Sequence, residues 1–305
     1  MEIYLPIAEL SVHWLIILGM GAGVGFLSGL LGVGGGFLLT PLLIFYGIPP
    51  AVAVATTASH ITASSMSGVI AQWRRRAIDF KMAAIMLAGG VAGSIAGVSA
   101  FGLLHRLGQT EIVVSIGYVL LLGSVGALML NESLRTLDAA RRGLPVSSGR
   151  RHHHNWVHGL PFKLRFKQSR LYISIIPPLV LGFAVGILSA VLGVGGGFIM
   201  VPAMIYLLRM PTSIVMGTSL VPIVFVTAAT TILQAMQNFS VDIVLAAILI
   251  AGGAIGAQFG VRMATRLQGE HLRLLLAILV LAVCLRLFWG LVATPDEIYN
   301  VTAGT

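Results

Sequence analysis

Leu27-Ser28-Gly29-Leu30-Leu31-Gly32-Val33-Gly34-Gly35-Gly36-Phe37, followed by Pro41, returns 161 residues later as Leu188-Ser189-Ala190-Val191-Leu192-Gly193-Val194-Gly195-Gly196-Gly197-Phe198, followed by Pro202. The correspondence continues downstream. Pro50 aligns with Pro211 and Thr57 with Thr218; after a two-residue insertion Asp79 aligns with Asp242, Gly89-Gly90 with Gly252-Gly253, and Gly93 with Gly256. The match is an internal duplication, so one structural unit occurs twice.

What surrounds the two runs decides the kind of unit. From Val12 to Gln72 there is no Asp, Glu, Lys or Arg, a stretch far beyond the roughly 20 apolar residues that cross a bilayer. Over the whole chain 57% of residues are hydrophobic and 10% charged, against roughly 25% charged in soluble domains. A soluble enzyme is excluded, and an all-α, polytopic integral membrane protein is expected. Charges, Pro and Gly clusters cut the chain into ten apolar segments: 12–31, 36–48, 51–73, 80–104, 111–131, 172–192, 197–209, 212–236, 242–266 and 271–293. Segments 36–48 and 197–209, at about a dozen residues and 1.5 Å per residue, are too short to cross about 30 Å of hydrocarbon alone.

The net charge of +9 does not point to nucleic acid, because the basic residues lie in a few membrane-flanking loops. With the N-terminus outside and each segment reversing direction, Arg74 to Lys81, the 132–171 loop, Arg209, Arg262, Arg266 and Arg273 fall inside. That is 17 of the 19 Lys and Arg residues, as the positive-inside rule requires; Arg106 and Arg286 are the exceptions. Counting each short segment together with its predecessor puts either the 74–81 or the 262–273 cluster on the wrong side. Five segments per half is therefore the better count, and an odd number inverts one copy relative to the other. The chain divides into a first transmembrane repeat (1–131), a basic His-rich cytoplasmic loop (132–171) and a second repeat (172–305), with both termini outside. No signal or transit peptide is expected, and the single Cys284 reads as a buried structural thiol.

The GVGGG runs break helices at hydrocarbon depth, where unpaired backbone is tolerated only if protein or a water-filled cavity satisfies it. Helices restarting at Phe37 and Phe198 would aim N–H groups and a positive dipole end at an anion. A dinucleotide loop is excluded by the glycine spacing, and tight packing by small residues is the plainer alternative, preferred for Gly89-Gly90 and Gly252-Gly253. Thr56, Thr57, Ser59 and His60, with Thr218 and Ser219, form a polar constellation. The first copy reads Thr57-Ala58 where the second reads Thr218-Ser219, so one hydroxyl is missing from a symmetric site. His60, whose counterpart is Val221, could bind an anion as imidazolium, relay a proton, or rest neutral in a cross-helix hydrogen bond. Ser28 and Ser189 are expected to bond the carbonyl four residues back, and Gln72 and Gln234 to face interfacial water. His152, His153, His154 and His158 invite a metal reading, but without Cys or acidic partners the loop is better read as lying on anionic headgroups. No metal site, cofactor or nucleotide fold is expected.

The paired LLGVGGGFLLTP and VLGVGGGFIMVP, each followed by a Thr-rich stretch (AVATTASH, VMGTSLVP), resemble the sulfite exporter TauE/SafE family, also called the 4-toluene sulfonate uptake permease family. The resemblance covers about 12–104 and 172–266 and omits the His-rich loop. It implies a non-enzymatic bacterial inner-membrane carrier for small sulfur-containing anions such as sulfite, sulfonates or sulfoacetate, more often exporting than importing. By motif match it implies an anion pathway through Gly34, Gly35, Gly36, Thr57, Gly195, Gly196, Gly197, Thr218 and Ser219. His60 joins them as a titratable candidate, a proton or sodium ion is a possible coupling ion, and the halves would rock around the site. A passive anion channel, or a membrane-embedded sensor or enzyme working through the His-rich loop, remains open.

Overall fold

The computed structural model describes residues 2–31, 36–74, 77–141, 163–166, 168–169, 171–264 and 269–292. Gly34, Gly35, Arg75, Arg76 and the His-rich stretch fall outside them. The first half runs β1 (Glu2–Leu5), β2 (Leu10–His13), α1 (Trp14–Leu31), α2 (Gly36–Phe45), α3 (Pro50–Arg74), α4 (Phe80–Arg106) and α5 (Thr110–Arg141). The second runs β3 (Lys163–Phe166), β4 (Leu171–Ser174), α6 (Ile176–Leu192), α7 (Gly197–Tyr206), α8 (Thr212–Gln237), α9 (Ile243–Ala264) and α10 (Gly269–Val292). The protein is a polytopic all-α membrane protein. Among the described residues five helices are long and apolar enough to cross a bilayer: α4, α8, α9, and the 110–135 and 274–292 parts of α5 and α10. Helices α2 and α7, 10 residues each with Pro41 and Pro202 inside, reach only about 15 Å.

Three features depart from the sequence reading. Two antiparallel hairpins precede α1 and α6 where apolar helix was expected to begin. They are the same element twice: Glu2 pairs with His13 and Leu5 with Leu10, and Lys163 pairs with Ser174 and Phe166 with Leu171, every position 161 residues apart. Helix α5 also runs ten residues past Asn131 to Arg141; charges mark where a helix leaves the membrane, not where it stops.

The halves interlock. Helix α1 packs on α9, with Gly21 against the Leu249 carbonyl, Gly256 against that of Ala22 and Gly260 against that of Phe26, so the two run parallel. Helix α4 packs on α6 likewise, Gly89 meeting the carbonyl of Leu179, Gly93 that of Phe183, and Gly182 that of Met86. The paired glycines thus serve close helix packing. Helices α3 and α8 run antiparallel: Thr62 shares a 2.8 Å hydrogen bond with Thr227, while six residues on Gly68 lies against Leu220. The same holds for α5 and α10, where the Cys284 thiol donates to the Val119 carbonyl at 3.4 Å and Gly126 meets Leu281. Cys284 is half-buried rather than buried. Helix α8 is central, with 61% of its most apolar stretch buried against 22% for α5 and α10, which expose apolar side chains such as Leu120, Leu128, Leu285 and Trp289.

Two buried aspartates tie the halves together. Asp79 caps α4, accepting from Met82 N at 3.3 Å, and its other oxygen accepts from the Ser169 N–H (3.1 Å) and hydroxyl (2.7 Å) in the β3–β4 turn. Asp242 caps α9, accepting from Val244 N and Leu245 N at 3.0 Å each and from Ile7 N, in the β1–β2 turn, at 3.0 Å. Each acid thus satisfies orphan donors at a helix start and anchors the other half's hairpin.

Candidate functional site

The two broken helices meet. Phe37 and Phe198, which correspond in the repeat, stack with ring centroids 4.2 Å apart and planes 15° from parallel. The first turns of α2 and α7 are therefore brought together at one point. In the second copy, α6 ends at Leu192 and the chain passes Gly193, Gly195 and Gly196 at φ of 68°, 72° and 74°, a left-handed conformation that side chains disfavour. Helix α7 then starts with Gly197 and Phe198, whose N–H groups have no carbonyl one turn back to bind.

Helix α3 lies across this loop. A methyl at Gly193 would stand 2.7 Å from the Val54 carbonyl, and one at Gly195 would stand 2.6 Å from Ile61 Cδ1. Gly36, opening α2, is covered by the same Ile61. Thr57, three residues after Val54 and four before Ile61, shares their helix face. It is fully buried, and its hydroxyl has no hydrogen-bond partner. A buried unsatisfied polar atom is costly and calls for an explanation.

Two side chains that the sequence reading did not assign to the site hold the loop. The fully buried Tyr118 on α5 donates to the Leu192 carbonyl at 2.6 Å. Gln234, far from facing interfacial water, is fully buried; its Nε2 donates to the Ala190 carbonyl at 3.1 Å and its Oε1 accepts from Asn238 at 2.5 Å. The orphan carbonyls at the end of α6 are thus met by distant side chains. A lone tyrosine hydroxyl in the aliphatic segment 111–131 was the available signal. Ser189 is buried with its hydroxyl unpartnered, rather than bonded to the carbonyl four residues back.

Of the expected site residues, Gly36, Thr57, Gly195, Gly196 and Gly197 come together, while Gly34 and Gly35 lie outside the described residues. Thr218 is committed elsewhere: its Oγ1 accepts from Asp79 N at 2.9 Å, as Thr56 Oγ1 accepts from Asp242 N at 3.2 Å. The structural counterpart of Thr218 is therefore Thr56, not Thr57. In that register Thr57 matches Ser219, so the second hydroxyl of the pattern is present in both copies; Ser219 donates to the Met216 carbonyl at 3.1 Å. His60 then corresponds to Pro222 rather than Val221. It is buried against Gly253, on α9 beside α1, with neither ring nitrogen hydrogen-bonded. Among the described residues no group of three or more His, Cys, Asp or Glu is placed to hold a metal; the four loop histidines lie outside them.

The model of the sulfite exporter TauE/SafE family matches residues 16–287. A Bacillus subtilis (strain 168) protein described as a probable membrane transporter, YjnA, is 32% identical over 88% of this chain and 97% of its own. A Xylella fastidiosa (strain Temecula1) protein with the same description is 31% identical over 90% and 95%. No solved structure is significantly similar. With a glycine loop of the duplicated motif at the junction of two interlocked halves and a family match over nearly its whole length, the chain belongs to the sulfite exporter TauE/SafE family of membrane transporters.

Proposed function

We propose that the protein is a secondary carrier moving a small sulfur-containing oxyanion, of the sulfite or sulfonate type, out across a bacterial cytoplasmic membrane by alternating access. The observation that carries the reading is the convergence of two helix N-termini on one point beside the buried, unpartnered Thr57 hydroxyl. Backbone N–H groups, helix dipoles and a neutral hydroxyl are donors suited to an oxyanion. They hold it without a fixed opposite charge, which favours later release. The antiparallel α3–α8 and α5–α10 pairs support copies inverted about an axis in the membrane plane, the plan of many ion-coupled carriers. With the basic clusters inside, both termini lie outside and the 132–171 connection is cytoplasmic, against anionic headgroups. Thr57, Gly36 and Gly195 to Gly197 are the main site residues; Gly34 and Gly35 are assigned to it by the motif match, Ser219 is the second hydroxyl, Thr218 acts through the fold, and His60 is the candidate for proton coupling.

Purified protein in liposomes tests this. Sulfite efflux should be stimulated by sulfite on the opposite side, which a passive channel does not show, and should respond to an imposed proton or sodium gradient. Gly196→Leu, forced into a left-handed conformation against Val185, should insert normally yet carry no flux; wild-type flux in that variant would sink the backbone-donor site. Deleting 150–158 should leave flux intact, whereas a sensor or enzyme built on the loop would lose its activity.

A further inference from the structure

Ile61 is 1% exposed and packs directly on main chain. A methyl carbon at Gly195 would lie 2.6 Å from its Cδ1 and 2.7 Å from its Cγ2, and one at Gly36 would overlap its Cδ1 and Cγ1. One isoleucine therefore fills the hollow that absent side chains leave on both broken helices at once. Beside it on α3, the Thr57 hydroxyl and both ring nitrogens of His60 are buried without partners. An apolar side chain seated on polar backbone, flanked by unsatisfied polar atoms, is an arrangement whose polar groups gain if a polar guest replaces it.

We propose that Ile61 is the plug of the anion site. Its side chain occupies the space over Gly36 and Gly195 that an oxyanion needs in order to reach the N–H groups opening α2 and α7, and it must leave before the anion enters. Its bulk sets how readily the site opens and how large an anion is admitted. The inference deepens the transport reading and rests on it. Ile223, 162 residues on and 2% exposed, is its counterpart in the second half and lies in the same apolar cluster.

The test uses the full-length protein with Cys284→Ala, which removes its one native thiol, and Thr57→Cys as reporter. The reagent is 2-sulfonatoethyl methanethiosulfonate, itself a small sulfonate. With Ile61 present, modification of the thiol is slow. Ile61→Ala speeds it by about tenfold or more, Ile61→Val by less, Ile61→Phe slows it, and methanesulfonate or sulfate protects the opened site. Ile61→Val, one methyl smaller, gives the trend even where the alanine variant is lost by size-exclusion chromatography. Equal rates across Ile, Val and Ala overturn the plug, while protection by methanesulfonate in the same samples leaves the anion site standing. Acceleration without protection by either anion, together with no thermal stabilisation by methanesulfonate of the Ile61→Ala protein that keeps Thr57, overturns both, since the loop is then covered by Ile61 but binds no oxyanion.

Discussion

Replacing Tyr118 by Phe removes one oxygen and keeps the ring. That oxygen donates to the carbonyl of Leu192, the last residue of α6, which has no intrahelical donor of its own. Both groups are enclosed at the junction of α5, α6 and the glycine loop, so the variant leaves a buried carbonyl unsatisfied, at a cost of about 1–3 kcal/mol. With an unfolding entropy of about 2.1 cal/mol/K per residue, 305 residues give about 0.6 kcal/mol/K. The thermal midpoint should therefore fall by about 2–5 °C. Because the carbonyl adjoins Gly193, the loosening is local to the site, and a 1.4 kcal/mol loss of the competent loop conformation is about a tenfold loss of flux. The assay pairs thermal unfolding in detergent with sulfite efflux from liposomes, using Tyr172→Phe, on the exposed face of β4, as control. An unchanged midpoint together with unchanged flux would refute the view that this hydroxyl holds the loop.

Glycines of α1 and α9 separate into two kinds. Gly256→Ala drives a methyl into the Ala22 carbonyl, whereas Gly23→Ala meets nothing within 4 Å; the first should cost about 1–3 kcal/mol and the second should stabilise α1 by about 0.5–1 kcal/mol, read as shifts of the thermal midpoint in opposite directions. Asp242→Ala strips the acceptor from Ile7, Val244 and Leu245. It should cost about 1–2 kcal/mol as a lost cap and speed labelling of a cysteine placed at Ile7, and an unchanged labelling rate would show that the hairpin is held by other means.

Ten segments could be read from charge and glycine because a bilayer penalises both misplaced charges and unpaired backbone. The paired glycines were legible for the same reason, since repeated small residues in an apolar segment mark close helix contact. The hairpins were not. Strands of four residues such as Leu10–His13 and Leu171–Ser174 are too short for an alternating pattern and merge into the apolar helices that follow. The register of the second polar pair was hidden by Thr56-Thr57, two hydroxyls in a row that fit Thr218 equally well until the bonds to Asp79 and Asp242 choose between them. Tyr118 and Gln234 act across long sequence separations, and their partners are carbonyls, which every residue carries; no local pattern identifies which carbonyl is in need.

The reciprocal anchoring by Asp79 and Asp242 bears on what can move. Each half's hairpin is fastened to the start of the other half's fourth helix, and each half's first helix lies along that same helix. The two copies in sequence are therefore not two bodies in space. A swing of residues 1–131 against 172–305 would have to break both carboxylate anchors and both glycine seams in every cycle. Bodies that cross the boundary, α1 with α9 and α4 with α6, can shift around the broken helices with all of these contacts intact. A chain cut between 142 and 162 should accordingly yield fragments that are unstable apart and active when produced together, because what the gene duplicated is one strand of a splice rather than one side of a hinge.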